Sequence, residues 1–264
     1  DAENRERLEV RGIAAVVVML RAHAAAPAPL AAAFRVARAA MLNHERYRLL
    51  FVGSGGLVKL AVAALIDHPE NPSPFLAACG AIRATTLDDD ARVKASKGIE
   101  HAKSAVTLKA LPPLLAAARG PMARDDAHCA ELLATLSRLA VTDEICTKLA
   151  RMDALRLAID ELSNHMTDAK VAKQACFFLS NISGNDECKR AIVAGNGHVA
   201  IIQAMHLHPN NGPMQVDAVA ALGNMALRMP DNCTAIYEAG GLGAIVSAFT
   251  QHLAIIRMQN KGPL

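Results

Sequence analysis

Residues 173–241 read KQACFFLSNISGNDECKRAIVAGNGHVAIIQAMHLHPNNGPMQVDAVAALGNMALRMPDNCTAIYEAGG (Lys173–Gly241), and one pattern runs through the stretch twice. FFLSNISGNDECKRAIVAGNGHV (Phe177–Val199) is followed by AALGNMALRMPDNCTAIYEAGGLG (Ala220–Gly243). Asn181 and Asn224 stand 43 residues apart, and Cys188 and Cys233 fall at nearly matching places, 45 apart. Self-similarity at this period predicts an all-α stacked solenoid, with two or three helices per unit.

The same period extends outward. Taking the residue after each tight turn as a marker gives Ile13, Leu57, Leu111, Leu155, His198 and Leu242, at spacings of 44, 54, 44, 43 and 44. Five to six units are expected, the third carrying about ten extra residues near 88–100. Each unit reads as a short helix, a Gly-type turn, a medium helix, a proline- or polar-containing loop and a long amphipathic helix. The Gly pairs are expected to supply positive φ at little steric cost. Gly12 is expected to end a first short helix, and Asn43 and Thr142 to cap later ones. The long helices are placed at Leu30–Leu42, Pro74–Leu87, Asp125–Val141, Asp168–Ser183 and Met214–Leu227. In the last of these, Val216, Val219, Ala220, Leu222 and Met225 approximate an i, i+3, i+4 stripe. Leu179 and Leu222 are expected in the core, and Asp88–Gly98 is expected to be exposed and mobile. The third helix of the sixth unit is expected to be cut short or degraded in LAIIRMQNKGPL.

Composition narrows the class. The 264 residues are 52% hydrophobic, much of it in alanine runs, with no Trp. Alanine favours helix and close helix approach. A net charge of +3 is too small to argue for nucleic acid or an anionic membrane. None of the six cysteines forms a C-x-x-C, which suggests a reducing compartment and free thiols. The apolar run Ile13–Leu20 is too short to span a bilayer. A start at Asp1 and an incomplete last unit give the expectation of a fragment of a longer protein, one continuous solenoid over 1–264.

The pattern resembles the armadillo repeat, whose consensus is similar to A-L-x-N-L-A…N…I…G-G-(I/L)-x-x-(L/I)-V. This chain has Ala221-Leu222-Gly223-Asn224-Met225-Ala226, then Asn232, Ile236, Gly240-Gly241-Leu242 and Ile245-Val246. An earlier copy has Leu179-Ser180-Asn181-Ile182-Ser183, Asn185, Ile192 and Gly197, and a third has Leu136-Ser137-Arg138-Leu139-Ala140, with Arg in the Asn place. Thr86–Val93, Glu100–Lys103, Thr135–Val141 and Pro230-Asp231-Asn232, together with the insertion, look like one branch of that family. The resemblance implies a right-handed superhelix that binds proteins and carries no enzyme activity or cofactor. It also implies that the third helices line a groove. Carried over by position, the groove residues are Asn181, Asn224 and Arg138, with Phe177, Ala220 and Ala134 one turn earlier. Nuclear-import receptors of the family carry Trp at that earlier place and this chain has none, which argues against binding basic import signals in their manner. Lys170 and Lys173 would make the groove mildly basic.

Other constellations are weaker. Gly53–Lys59 resembles a phosphate loop but lacks G-x-x-x-x-G-K-[ST] and follows a helix. His198, His206 and His208, near Met205, suggest a metal, but His206 and His208 point opposite ways on a helix. Asp88-Asp89-Asp90 reads as helix-start capping. No catalytic, metal or cofactor residue is assigned. The expected function is a protein-binding scaffold in the cytoplasm. The alternative is a fixed subunit of a large assembly, such as a ciliary axoneme or an organellar complex.

Overall fold

A computed structural model describes residues 2–53, 56–120 and 124–259, with side chains from 11 to 252 within those ranges. The described residues form sixteen helices and no strand. A first compact unit, residues 1–124, holds α1 Ala2–Ala22, α2 Pro27–Met41, α3 Glu45–Val52, α4 Leu57–Asp67, α5 Pro72–Thr85, α6 Gly98–Thr107 and α7 Leu111–Ala117. A second, residues 125–264, holds α8 Asp126–Leu139, α9 Asp143–Arg151, α10 Ala154–Asn164, α11 Ala169–Ile182, α12 Asp186–Ala194, α13 Gly197–Leu207, α14 Gly212–Ala226, α15 Pro230–Glu238 and α16 Gly241–Gln259, which is kinked at His252 so that a short last helical stretch follows the medium one. Both are built from one module of short, medium and long helix. The division falls inside the third module, before its long helix α8.

The junction between short and medium helix is the same device each time. Gly56, Lys109, Asp153, Asn196 and Gly240 are left-handed there, with φ of 62, 65, 60, 61 and 84°. Only two of these are glycine, so the Gly pair is not simply a source of positive φ. Its second member answers a different need. A Cβ on Gly197 would sit 2.6 Å from Ile192 Cγ2, and one on Gly241 would sit 2.5 Å from Ile236 Cγ2. At these two junctions the position stays bare so that the medium helix can start against the end of the short one, whereas Leu57, Ala110 and Ala154 fill it at the others.

Several local expectations give way to tertiary structure. Gly12 does not end a helix, because α1 runs through it. One glycine costs a helix interior only about 1 kcal/mol, too little to break a 21-residue element. α2 and α5 begin earlier than expected, at Pro27 and Pro72, since proline suits the first helical position. Thr142 does cap α9, through Ile145 N at 3.4 Å. Asn43 caps nothing; its backbone turns left-handed at φ 53°. The start of α3 is capped from far away instead, by Asp90 Oδ2 accepting from Glu45 N at 2.8 Å. Cys188 and Cys233 are also out of register: counted back from the left-handed residue, Cys188 matches Asn232. Cys188 is buried and Cys233 exposed.

The extra residues of the third module form the loop 86–97, and its ends are anchored. Arg48 is completely buried on α3; it donates to Glu45 Oε2 at 2.8 Å and to Asp89. Glu45 Oε1 accepts from Lys97 N at 2.7 Å. Arg92 pairs with Asp90 at 2.7 Å and donates to Asn43 O at 2.8 Å. Arg92 and the Glu45 N–H hold the Asp90 carboxyl well below the usual carboxylate range. The aspartate run therefore caps and pairs with α3 rather than starting its own helix. The expected exposure holds for the tip, Ala91–Ala95.

Consecutive modules are tied by repeated side-chain struts. His68 donates from Nε2 to Ala24 O, His208 to Met166 O and His252 to Pro209 O, each at 2.7 Å. Each lies twelve residues beyond a left-handed junction. Within the fifth module, Lys189, almost fully buried, pairs with Asp186 at 2.8 Å and joins α12 to the end of α14 through Leu227 O at 3.4 Å. Between the struts the core is aliphatic, and Leu179 and Leu222 are buried as expected.

Candidate partner-binding surface

Within the second unit, α8, α11 and α14 pack in that order. Their buried sides carry Leu133, Leu136, Ala175, Leu179, Ala218 and Leu222, which leaves the opposite side as a face made by three successive long helices. On α14 the buried apolar residues are Met214, Val216, Ala218, Ala221, Leu222 and Met225, so Val216, Leu222 and Met225 of the expected stripe are buried, while Val219 is half-buried and Ala220 exposed.

The groove residues expected from the sequence interact in pairs. The Arg138 guanidinium lies over the Phe177 ring, 5.9 Å from its centroid, a cation–π contact between α8 and α11. Asn181 donates from Nδ2 to Ser137 O at 3.3 Å, and Asn224 makes the same bond to Ser180 O at 3.2 Å. Each asparagine thus ties its long helix to the preceding one. Asn181 is exposed, and Asn224, Phe177, Arg138 and Lys173 are half-buried. Ala134 is buried.

One charged member of this region escaped the sequence reading. Asp217 on α14 is half-buried, and burial pushes its carboxyl up to about 6, with Lys173 pulling the other way. The signal was an acid inside the apolar run Met214–Leu222. The folded value lies above the unfolded value of about 3.9. The carboxyl therefore costs no stability below about pH 4, costs progressively more as pH rises toward 6, and costs most above that. Asp217→Asn is expected to stabilise the protein at pH 8 by about 2 kcal/mol and to change nothing at pH 3.5, as read by urea denaturation at the two values.

The discounted constellations do not assemble. His208 is occupied with Met166 O. His198 is buried, and burial lowers its basicity. Ser54 and Gly55 of the Gly-rich segment lie outside the described residues. Burial pushes the Cys146 thiol up to about 11 and Cys188 to about 12, with Cys129 and Cys176 raised further. These thiols stay protonated near neutrality and are poor nucleophiles. A separate cleft of about 440 Å³ on the second unit is lined by Asp153, Leu155, Arg156, Ile159, Asp160 and Asn196 among others. Arg156 and Asp160 pair there at 3.7 Å. Among the described residues no single helix is long and apolar enough to cross a membrane.

Repeated three-helix modules, left-handed junctions and asparagine ties between long helices define an armadillo-type α-solenoid, and the chain is similar to proteins of the armadillo-repeat family. Such solenoids are generally non-catalytic and act as protein-interaction scaffolds. Among particular proteins, the chain is similar to Armadillo repeat-containing protein 6 of Homo sapiens, with 31% identity over 233 residues. That alignment covers 85% of this chain and 46% of the relative. The Pongo abelii protein of the same name is 30% identical over the same shares. A Drosophila melanogaster homolog is 28% identical over 60% of this chain and 33% of its own length. The chain thus spans about half the length, or less, of the curated relatives it matches. No family model matches it. Two solved engineered proteins share the fold, one with a TM-score of 0.74 at 19% identity, covering 93% of this chain and 95% of its own. The other has a TM-score of 0.61 at 18% identity and covers 92% and 68%.

Proposed function

We propose that the outward face of α8, α11 and α14 binds an extended segment of a partner protein. The observation that carries this reading is the pair of asparagine ties. Spending Nδ2 on the Ser137 and Ser180 carbonyls fixes each carboxamide and keeps its Oδ1 as an acceptor for a partner's backbone N–H. Two such acceptors, 43 residues apart in sequence on neighbouring helices, suit a chain in extended conformation. Arg138 over Phe177, with Lys173 nearby in sequence and Asp217 as the acidic neighbour of Lys173, gives the face two basic groups and one aromatic plane. Without tryptophan the face lacks aromatic slots for lysine stems, so an acidic or apolar segment fits it better than a basic one.

Selection from a displayed peptide library tests this. The selected peptides are expected to be enriched in Asp, Glu and apolar residues. Ala220→Glu and Phe177→Ala are expected to weaken their binding at least tenfold with an unchanged melting temperature. Asn181→Ala with Asn224→Ala is expected to weaken binding too, and to cost about 1 kcal/mol of stability per lost bond. Lysine-rich selected peptides, or binding indifferent to Ala220→Glu and Phe177→Ala, would overturn the reading.

A further inference from the structure

His165 stands twelve residues beyond its left-handed junction, like His68, His208 and His252, and its ring meets a cluster of side chains that theirs do not. Nε2 lies 3.5 Å from Cys129 Sγ and 3.4 Å from Glu161 Oε2. Cys129 Sγ and Glu161 Oε2 are 2.9 Å apart. Nδ1 lies 2.5 Å from Asp126 Oδ1. A thiol, an imidazole and a carboxylate thus converge from two modules, with a second carboxylate behind the imidazole. Glu161 and His165 are one helical turn apart at the end of α10. Cys129 and Asp126 are three residues apart in the first turn of α8, so both face the same way.

We propose that Cys129, Glu161 and His165 bind a divalent cation of borderline softness, Zn²⁺ by its donor set, and so clip the third module to the fourth. The geometry supports this directly. Metal–ligand distances of about 2.3 Å to sulfur and about 2.0–2.1 Å to nitrogen and oxygen, at tetrahedral angles, place the donors about 3.3–3.6 Å apart. Two edges of the observed triangle already match, and the third closes with a small rotation of the Glu161 carboxylate. One thiolate, one imidazole and one carboxylate are the mixture that zinc accepts, and calcium or magnesium would prefer oxygen alone. Asp126 does for His165 what outer carboxylates do for zinc-bound histidines: it accepts from Nδ1–H, fixes the tautomer and aims Nε2 inward. The surroundings fit as well. The Cys129 side chain is fully buried, and the side chains of Glu161 and His165 are 8% and 11% exposed. Three protein donors leave a fourth position for water or a partner's group. On binding, a metal–sulfur bond forms, the thiol proton leaves to solvent, and no electron is transferred.

This inference is independent of the peptide-binding face, and its test does not involve a partner protein. Tag-free full-length chain, stripped with chelator under reducing conditions, would be titrated at pH 8 with Co²⁺ as a spectroscopic probe and then with Zn²⁺ in competition with a chromophoric chelator. One equivalent of Co²⁺ is expected to give the visible bands of a tetrahedral site together with a near-ultraviolet thiolate-to-cobalt transition, both erased by stoichiometric Zn²⁺. Zinc is expected to raise the melting temperature. Cys129→Ser removes the thiolate transition and weakens zinc at least tenfold. Asp126→Asn, which leaves all three ligands in place, weakens it about 10–100-fold. Cys233→Ser, at the exposed thiol, changes nothing. Far-ultraviolet circular dichroism of each variant separates lost metal from lost fold. A wild-type chain without the tetrahedral cobalt spectrum would overturn the proposal whatever the variants do. So would a spectrum that survives Cys129→Ser and vanishes with Cys233→Ser.

Discussion

Leu179→Ala and Leu222→Ala are each expected to lower the stability of the second unit by about 2–5 kcal/mol. Leu179 on α11 is 0% exposed and Leu222 on α14 is 1% exposed, on long helices that pack against each other. Truncation removes buried methyl groups and leaves a void that rigid helices refill poorly. In a solenoid, stability is close to a sum of module terms and nearest-neighbour interface terms, so either change also weakens the modules on both sides. The double variant measures how far the two sites are coupled, since their helices α11 and α14 pack against each other. Urea denaturation followed by circular dichroism reads all three. Losses under about 0.5 kcal/mol at both positions, the scale of surface substitutions, would place these residues outside the core.

Arg48→Met is expected to cost the first unit about 3–5 kcal/mol, the usual penalty for removing one partner of a buried ion pair. The guanidinium is completely buried between Glu45 and Asp89, and the Glu45 carboxylate, 5% exposed, would be left without its countercharge. Because those carboxylates also hold the 86–97 loop, the same variant is expected to open Arg92, Lys94 and Lys97 to trypsin sooner than the wild type. Adding Glu45→Gln removes the stranded charge and is expected to recover part of the stability. If Arg48→Met is neutral and cleavage is unchanged, the loop is held by Arg92 and Asp90 alone.

Much of the architecture was legible because it is written in burial and period. The 43–44-residue repeat, the burial of Leu179 and Leu222 and the position of the insertion all follow from side-chain type and spacing. Contacts between residues some 45 apart were not legible in the same way. Asn43 has the right chemistry for a cap, yet Asp90 supplies it from the other end of the module. Lys109 and Asp153 take the left-handed place that glycine holds in other modules, because the junction fixes the backbone and a surface side chain tolerates it. In the candidate site, Asn181 and Asn224 were found by their period, but their bonds to Ser137 and Ser180 needed the helices to be superposed. The histidines were weighed singly. Their recurrence at 68, 165, 208 and 252 is plain in the sequence once the period is applied to them. Cys129 beside His165 depends on how α8 crosses α10, which no local pattern encodes.

The histidine struts also set rules for how such a chain can change length during descent. Each connects residues 42–44 apart and touches only the neighbouring module. Gain or loss of a whole module between two left-handed junctions lets every strut re-form with a new neighbour. Gain or loss of a few residues inside a strutted span moves donor and acceptor out of reach. The chain carries its extra residues in the third module, where the place twelve beyond the junction is Pro121, which has no side-chain donor to misalign. Length variation in related chains should therefore gather in whole-module steps and in modules that lack the histidine.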